Sequence, residues 1–514
     1  MKFENKIVII FIYFIIFYHN TYSQQVITIE INSRFQIIKG FGASDAWNCE
    51  YIGKYWNDSI KETIARLLFS KEFDNKKNPC GIGLSRWRFN VGAGSFEQGN
   101  FSNIDKPERR VECFLTEKGS YDWTKQIGQQ YFLKKASDYG VEELIAFINS
   151  PPVFYTKNGR ANSNNKERGG HTNLKDDCYD NYVNFITTIL KYFEDKGIKF
   201  TQISPINEPQ YEWNQGQEGC PWQNYEIKKL IYLLDSALLK NKLQTKILFP
   251  EAATYFDLYK VNENSSTSNQ IQTFFDKNSK LYCGNLNSIL KGMCCHSYFT
   301  DYDDTIIKEA RIKSYETARK YGIELYQTEY SLLSRYFNSK FENSLFLAKM
   351  IYADLEYAGV STWDFWTTLE RERWNHLNRF YLIRIIPLEG DYGDLKKEGT
   401  IEIDKNLWIL GNYSLFIRPG YQRIKLIGAN DLTSLMGCSF ISPDSKKIVV
   451  IFINYSENSK PISIKIKNHS NYIKIKSIEA YLTNSQLNLK FQNMIKNNII
   501  LPKKSVITLI LKIN

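Results

Sequence analysis

Histidine is scarce in this chain, with five in 514 residues. There is no HExxH pair and no CxxC pair among the nine cysteines, so a zinc site has no support. No Gly-rich turn follows a strand-like run, which argues against the phosphate cradle of a doubly wound sheet. The net charge is +11, yet its lysines are spread through stretches such as "KIKNHSNYIKIK" rather than gathered in one block. That pattern is a solvated surface, and no nucleic-acid partner is expected. Long apolar runs are missing except for Ile7 to Tyr18, which follows Lys2 and Lys6 and leads to small or polar residues up to Ser23. This is the layout of a secretory signal, and the run is shorter than the ~20 residues of a spanning helix. Residues 1–23 are therefore expected to be a signal peptide. The mature protein is expected to be secreted, extracellular or periplasmic, with no stable membrane insertion once the signal is removed. An odd number of cysteines leaves at least one unpaired. Most are expected to be small buried apolar residues. No metal and no cofactor is expected.

What the chain does have is aromatic side chains, 15% of its residues, with 34 Tyr and 10 Trp. Such flat rings suit sugars and ordinary cores alike. It also has a rhythm. The runs "IIKGFGAS", "IGLSRWRFNV", "ELIAFINSPP", "FTQISPINEP", "KILFPEAA", "GMCCHSYF", "IELYQTEY" and "VSTWDFW" are short, rich in β-branched and aromatic residues, and end in polar or small residues. They read as buried parallel strands. Amphipathic stretches separate them: Tyr182, Phe185, Ile186, Ile189, Leu190 and Phe193 recur at helical spacing before Gly197. Leu345, Ala348, Ile351, Leu355 and Ala358 do the same before Gly359. Eight strand–helix units predict an α/β fold, a (β/α)8 TIM barrel over residues 35–420. After Tyr421, strands alternate polar and apolar residues with no helix between them, which predicts a β-sandwich side domain over 421–514. Residues 24–34, "QQVITIEIN" and its continuation, are expected to supply a strand to that sandwich.

In such a barrel the chemistry sits at the C-terminal strand ends. Glu208, in "SPINEPQYEW", ends the fourth strand, and Glu329, in "YQTEY", ends the seventh. Two acids across one barrel mouth are what glycoside cleavage needs, although either could instead belong to a structural ion pair. Arg88, on the second strand, is placed to grip a carboxylate or to sit in a core ion pair. Glu251, ending the fifth strand, is a third pocket acid. Glu212 and Glu218 are expected beyond the mouth, facing solvent or distal sugars. Trp366 and Trp47 are candidates to floor a sugar ring, Trp363 to do so or to pack. Arg160, Lys166 and Arg168 lie near the mouth, as plain surface charge or as tolerance for an acidic branch sugar.

The ordered set "GFGASDAWNCEYIGK", "GIGLSRWRFNVGAGS", "FINSPPVFYTKNG", "SPINEPQYEW", "HSYFTD", "YQTEY" and "FIRPGYQRI" resembles glycoside hydrolase family 30 over nearly the whole mature chain. The resemblance is to the branch described as endo-β-1,6-galactanase-like. It implies a retaining β-glycosidase that cleaves a β-linked oligo- or polysaccharide and acts as a monomer. By family position, Glu208 is the acid/base and Glu329 the nucleophile. Asn207 would contact the sugar 2-hydroxyl, Tyr298 would stand beside the nucleophile, and Asp45 would grip far hydroxyls of the sugar. His296 would be structural. Burial is expected to raise the pKa of Glu208 while donors keep Glu329 ionised. Members of the family cleave β-1,6-galactan, β-1,6-glucan, glucuronoxylan or glucosylceramide, and the loops 158–173 and 369–385 that shape the subsites do not name the sugar. A non-catalytic glycan-binding protein on the same scaffold is the alternative from another class.

Overall fold

The computed structural model describes residues 24–513 apart from 165, 167, 262–264 and 495–498. The expected signal segment lies outside the described residues. A first strand, β1 (Gln25–Ile37), leads into eight parallel strands: β2 (Gly40–Ser44), β3 (Arg86–Val91), β4 (Glu143–Ile148), β5 (Gln202–Ser204), β6 (Lys246–Ile247), β7 (Gly292–His296), β8 (Glu324–Tyr330) and β9 (Thr362–Phe365). Their order in the sheet is β6-β5-β4-β3-β2-β9-β8-β7. The two ends meet through Leu290 N–H to Ile247 O (3.2 Å), Cys294 N–H to Phe249 O (3.2 Å) and His296 N–H to Ala252 O (2.9 Å), which close the barrel. All eight strand-like runs of the sequence are strands of this barrel.

Parallel strands covered on both faces must be apolar nearly throughout, and β3 and β7 are buried at every position. The exceptions pair with one another. On β3, Arg86 donates to Asp364 of β9 at 3.0 Å. The strand between them, β2, carries Gly42, because a Cβ there would lie 2.5 Å from a carboxylate oxygen of Asp364.

The helix Tyr179–Asp195 buries Tyr182, Phe185, Ile186, Ile189, Leu190 and Phe193 and stops before Gly197, whose φ is +81°. Phe193 meets Phe89 (5.7 Å between centroids), Phe114 (6.0 Å) and Phe200 (5.4 Å). Truncating Phe193 to alanine would cost roughly 3–5 kcal/mol. The helix Lys340–Ala353 continues as a wider turn over Asp354–Ala358 and ends at Gly359, φ +61°.

The stretch 369–385, read from sequence as a subsite loop, supplies Leu369–Glu370 and the start of Ile383–Pro387 to a small sheet completed by Gly399–Ile403. It stands at the barrel mouth before the last helix, Lys405–Ser414. The side domain is a ten-stranded sheet in which β1 lies between Gln422–Ile427 (antiparallel) and Lys460–Asn468 (parallel). Its own core includes Ile27, Ile29, Ile424, Val450, Phe452 and Leu509. The nine cysteines are free thiols, and only Cys80 and Cys178 are partly exposed. Among the described residues no helix is long and apolar enough to cross a membrane.

Candidate active site

The C-terminal ends of β5 and β8 deliver Glu208 and Glu329 to one cleft of about 430 Å³. An oxygen of Glu208, an oxygen of Glu329 and a ring nitrogen of His296 all lie within 4.8 Å of one another. Glu208 sits at φ +40°, in the left-handed region that non-glycine residues avoid. Its N–H donates to Glu251 O (2.9 Å), which holds that strained turn in place. Glu251, at φ +56°, is the matching turn of the next strand.

Donors occupy both oxygens of Glu329. Arg88 Nη1 donates to Oε2 at 3.1 Å, and Tyr298 Oη donates to Oε1 at 3.1 Å. His296 stands between the acids, with Nδ1 2.8 Å from Glu208 Oε1 and 3.7 Å from Glu329 Oε1, and Nε2 3.3 Å from Glu251 Oε2. Burial alone would lower the imidazole pKa, but Glu329, Glu208 and Glu251 together raise it to about 10. At neutral pH both ring nitrogens therefore carry protons and donate. Two carboxylates and a ring at this spacing could hold a metal ion only if the ring had a lone pair to offer, which it lacks while protonated.

Glu251 is wholly buried. Burial would raise its pKa, yet Arg88 (3.5 Å from Nη2), His296 and the Thr328 hydroxyl hold it at about 2. For Glu329, burial is the leading influence and raises its pKa, with the Glu208 charge adding, while His296 and Arg88 pull it down. Glu329 is 7% exposed at the side chain and Glu208 13%, so the deeper acid is the one ending β8.

Of the residues expected to bind substrate, Tyr298, Trp47 and Trp366 line the cleft. The two indoles meet edge to face at 5.2 Å. Asn207 is nearly buried, with a side-chain oxygen that has no partner. Asp45, Arg88 and Glu251, also expected to bind substrate, are fully buried and do not line the cleft, and Arg88 grips the carboxylate of Glu329 and pairs with Glu251. Asp45 accepts from Asn90 N–H (2.8 Å) and Gln129 Nε2 (3.0 Å), and burial raises its pKa well above the usual range. Arg88 and Glu251 act on the site from behind it. Trp363 is packing, fully buried and bonded to Asp354. Glu218 is a correction: it is fully buried rather than facing solvent. His296 is structural in its burial, but it also touches Glu208 directly. Of the three basic residues expected near the mouth, Arg168 lines the cleft.

Sequence reasoning missed the rest of the wall. Tyr211 and Trp213 flank Glu208 on one side. The cleft is also lined by Lys106, Arg109, Arg371 and Arg373 with Glu108 and Glu370. Glu108 pairs with Arg371 (2.7 Å) and with Arg373. Lys106 lies 3.6 Å from the Trp374 ring centroid, and Arg109 lies 4.9 Å from that of Trp47. Burial, then Arg109 and Arg373, push Lys106 down to about 8. The signal for this cluster was only the charge density of "KPERR" and "LERERW", which lie far apart in the chain and meet at the mouth.

The profile described as "O-Glycosyl hydrolase family 30" matches residues 24–376, and that of the "Glycosyl hydrolase family 30 beta sandwich domain" matches 420–509. A conserved exported protein from Bacteroides fragilis is similar at 32% identity and a TM-score of 0.87, covering 94% of this chain and 100% of its own. The catalytic domain of xylanase C from Talaromyces cellulolyticus aligns over 95% of this chain and 100% of its own, with 21% identity and a TM-score of 0.66. An endo-β-1,6-glucanase aligns over 95% of both, with 17% identity and a TM-score of 0.64.

Proposed function

Because this chain belongs to glycosyl hydrolase family 30 and is a glycoside hydrolase, we propose that it cleaves a β-linked polysaccharide with retention of configuration, Glu329 being the nucleophile and Glu208 the acid/base. The observation that carries the reading is that one carboxylate oxygen of Glu208 and one of Glu329 lie within 4.8 Å of each other. Retaining pairs are separated by ~5–5.5 Å and inverting pairs by ~6.5–9.5 Å, the difference being room for a water. Glu329, oriented by Arg88 and Tyr298, attacks the anomeric carbon. Glu208 gives its proton to the departing oxygen. His296, donating to Glu208 Oε1, leaves Oε2 as the oxygen that carries the proton. Water then enters on the side the leaving group vacated, returns a proton to Glu208, and frees the sugar from Glu329.

The leading substrate is a β-1,6-galactan cleaved internally, with β-1,6-glucan, xylan and glucosylceramide as the alternatives within the family, and the protein works as an exported monomer. A second reading of the substrate is favoured by the mouth itself. Lys106, Arg109, Arg371 and Arg373 outnumber Glu108 and Glu370 there, and Lys106 and Arg109 lie over rings. A chain bearing carboxylate groups would meet that surplus. The test is a panel of β-linked polysaccharides, neutral and acidic, with product lengths recorded and the first product read by proton NMR before mutarotation. A β anomer is expected; an α anomer would overturn the proposal.

A further inference from the structure

Glu218 has no part in the reaction just described, yet it is a fully buried acid in the segment that carries the cleft wall beside Glu208. Three donors converge on it: Ala93 N–H (3.0 Å), Ser95 N–H (3.1 Å) and Ser95 Oγ (2.6 Å). The Ser95 hydroxyl is itself committed, because it accepts from Val111 N–H at 2.9 Å. The carboxylate thus ties the 208–220 segment to the turn that follows β3. Directly after it comes Gly219, whose backbone lies against the Trp213 indole so closely that a Cβ there would collide with the ring. Trp213 sits at φ +51° and donates Nε1–H to Glu208 O at 3.0 Å. Tyr211 meets it edge to face at 4.9 Å. A bulky residue in the left-handed region persists only where its surroundings over-determine it. Here those surroundings include Glu208, Gly219 directly after Glu218, and Ser163, whose N–H donates to Trp213 O at 2.8 Å.

We propose that Glu218 is a positioning residue for the leaving-group side of the cleft, holding Trp213 and Tyr211 as the platform for the sugar whose oxygen Glu208 protonates. The placement follows from the chemistry and rests on reading Glu208 as the proton donor: the acid stands beside the departing oxygen, so the wall next to it receives the departing sugar. A carboxylate can accept all three hydrogen bonds, whereas a carboxylic acid brings a hydroxyl donor to a spot that holds donors already. Burial raises this group to about 7, with the bonds from Ser95 and Ala93 working against it. The other titratable groups facing it are Glu97, paired with Lys125 at 3.2 Å, and the buried thiol of Cys113.

The experiment compares wild type with Glu218→Gln, whose amide turns an N–H₂ toward donors that the carboxylate accepts. Hydrogen exchange of residues 208–220, corrected for intrinsic rates, reads the anchor without any substrate. Hydrolysis of β-1,6-galactan relative to 4-nitrophenyl β-galactoside, whose leaving group needs no platform, reads the consequence. Glu218→Gln is expected to lose protection in this segment, roughly five- to tenfold, relative to the wild type at the same pH. Its polymer-to-aryl ratio is expected to fall as well. Ser95→Ala, which removes one donor, gives a smaller shift and serves if Glu218→Gln does not fold. Wild-type protection in the variant, or an equal loss on both substrates, would overturn the proposal. A Glu208→Gln enzyme that kept full activity on the polymer would overturn the assignment of the acid, while the exchange measurement would still stand.

Discussion

Replacing Glu251 by glutamine tests whether the charges behind the site work as one unit. Its carboxylate accepts from Arg88 Nη2 through Oε1, and from His296 Nε2 and the Thr328 hydroxyl through Oε2. An amide keeps one oxygen and turns an N–H₂ toward at least one of these donors. Breaking a buried ion pair by removing one partner costs about 3–5 kcal/mol. The depression of Glu251 from 4.5 to about 2 corresponds to roughly 3 kcal/mol at ~1.4 kcal/mol per tenfold, which agrees. The pH window follows from both groups. Glu251, lowered, contributes stability above its ordinary 4.5 and loses it as pH falls through 2. His296, raised from 6.5 to about 10, contributes stability fully below 6.5 and loses it as pH rises through 10. Urea unfolding of both proteins should therefore show the largest gap between about pH 4.5 and 6.5, narrowing toward either extreme. The variant's imidazole should also lose its proton at a lower pH, visible in its ring-proton NMR shifts. A gap under about 1 kcal/mol across that window, with the histidine titration unmoved, would refute the account.

Other outcomes follow from the same geometry. Glu329→Gln should abolish turnover while remaining folded, because the attacking oxygen is gone. Glu208→Gln should lose about 10²–10⁴-fold on the polymer but retain first-step chemistry on an activated aryl glycoside, read as a burst of phenolate. Lys106→Gln should raise KM for an acidic polysaccharide and leave a neutral one unchanged. In the wild type that preference should fade as pH rises through about 8, where Lys106 loses its charge. Gly219→Ala should displace Trp213 and raise KM for the polymer with little effect on an aryl glycoside.

The barrel was legible because parallel strands buried on both faces leave an unmistakable apolar signature, and β3, β7 and β8 stand where their runs are. Glu208 and Glu329 were legible because a strand end fixes an acid at the mouth whatever the loops do. Arg88 and Glu251 sit at the right strands, but sequence does not tell whether a polar residue at a strand end faces the cleft or the layer beneath. Four residues decide that for Arg88: Ser44, Glu251, Glu329 and Phe147 enclose it completely. His296 looked structural because a lone histidine in an apolar run gives no hint of two carboxylates arriving from other strands. Glu218 looked exposed because "QGQEG" reads as a polar turn, and its partners, Ala93 and Ser95, lie more than a hundred residues earlier. Charges that gather only through loop packing, such as Lys106 with Arg373, have no local pattern to find.

The position of β1 has a consequence for how the molecule is made. This strand fills the slot between Gln422–Ile427 and Lys460–Asn468, so the first described stretch of chain completes a sheet whose remainder emerges from the ribosome last. During synthesis its hydrogen-bonding edges stay unmatched while the whole barrel is built, which makes it the segment most in need of a chaperone's cover. The same slot ties the segment before the barrel to the segment after it. A fragment beginning at residue 420 would carry an open gap through the middle of its sheet, and a protease that clipped off β1 would unzip the far end of the protein before it touched the barrel.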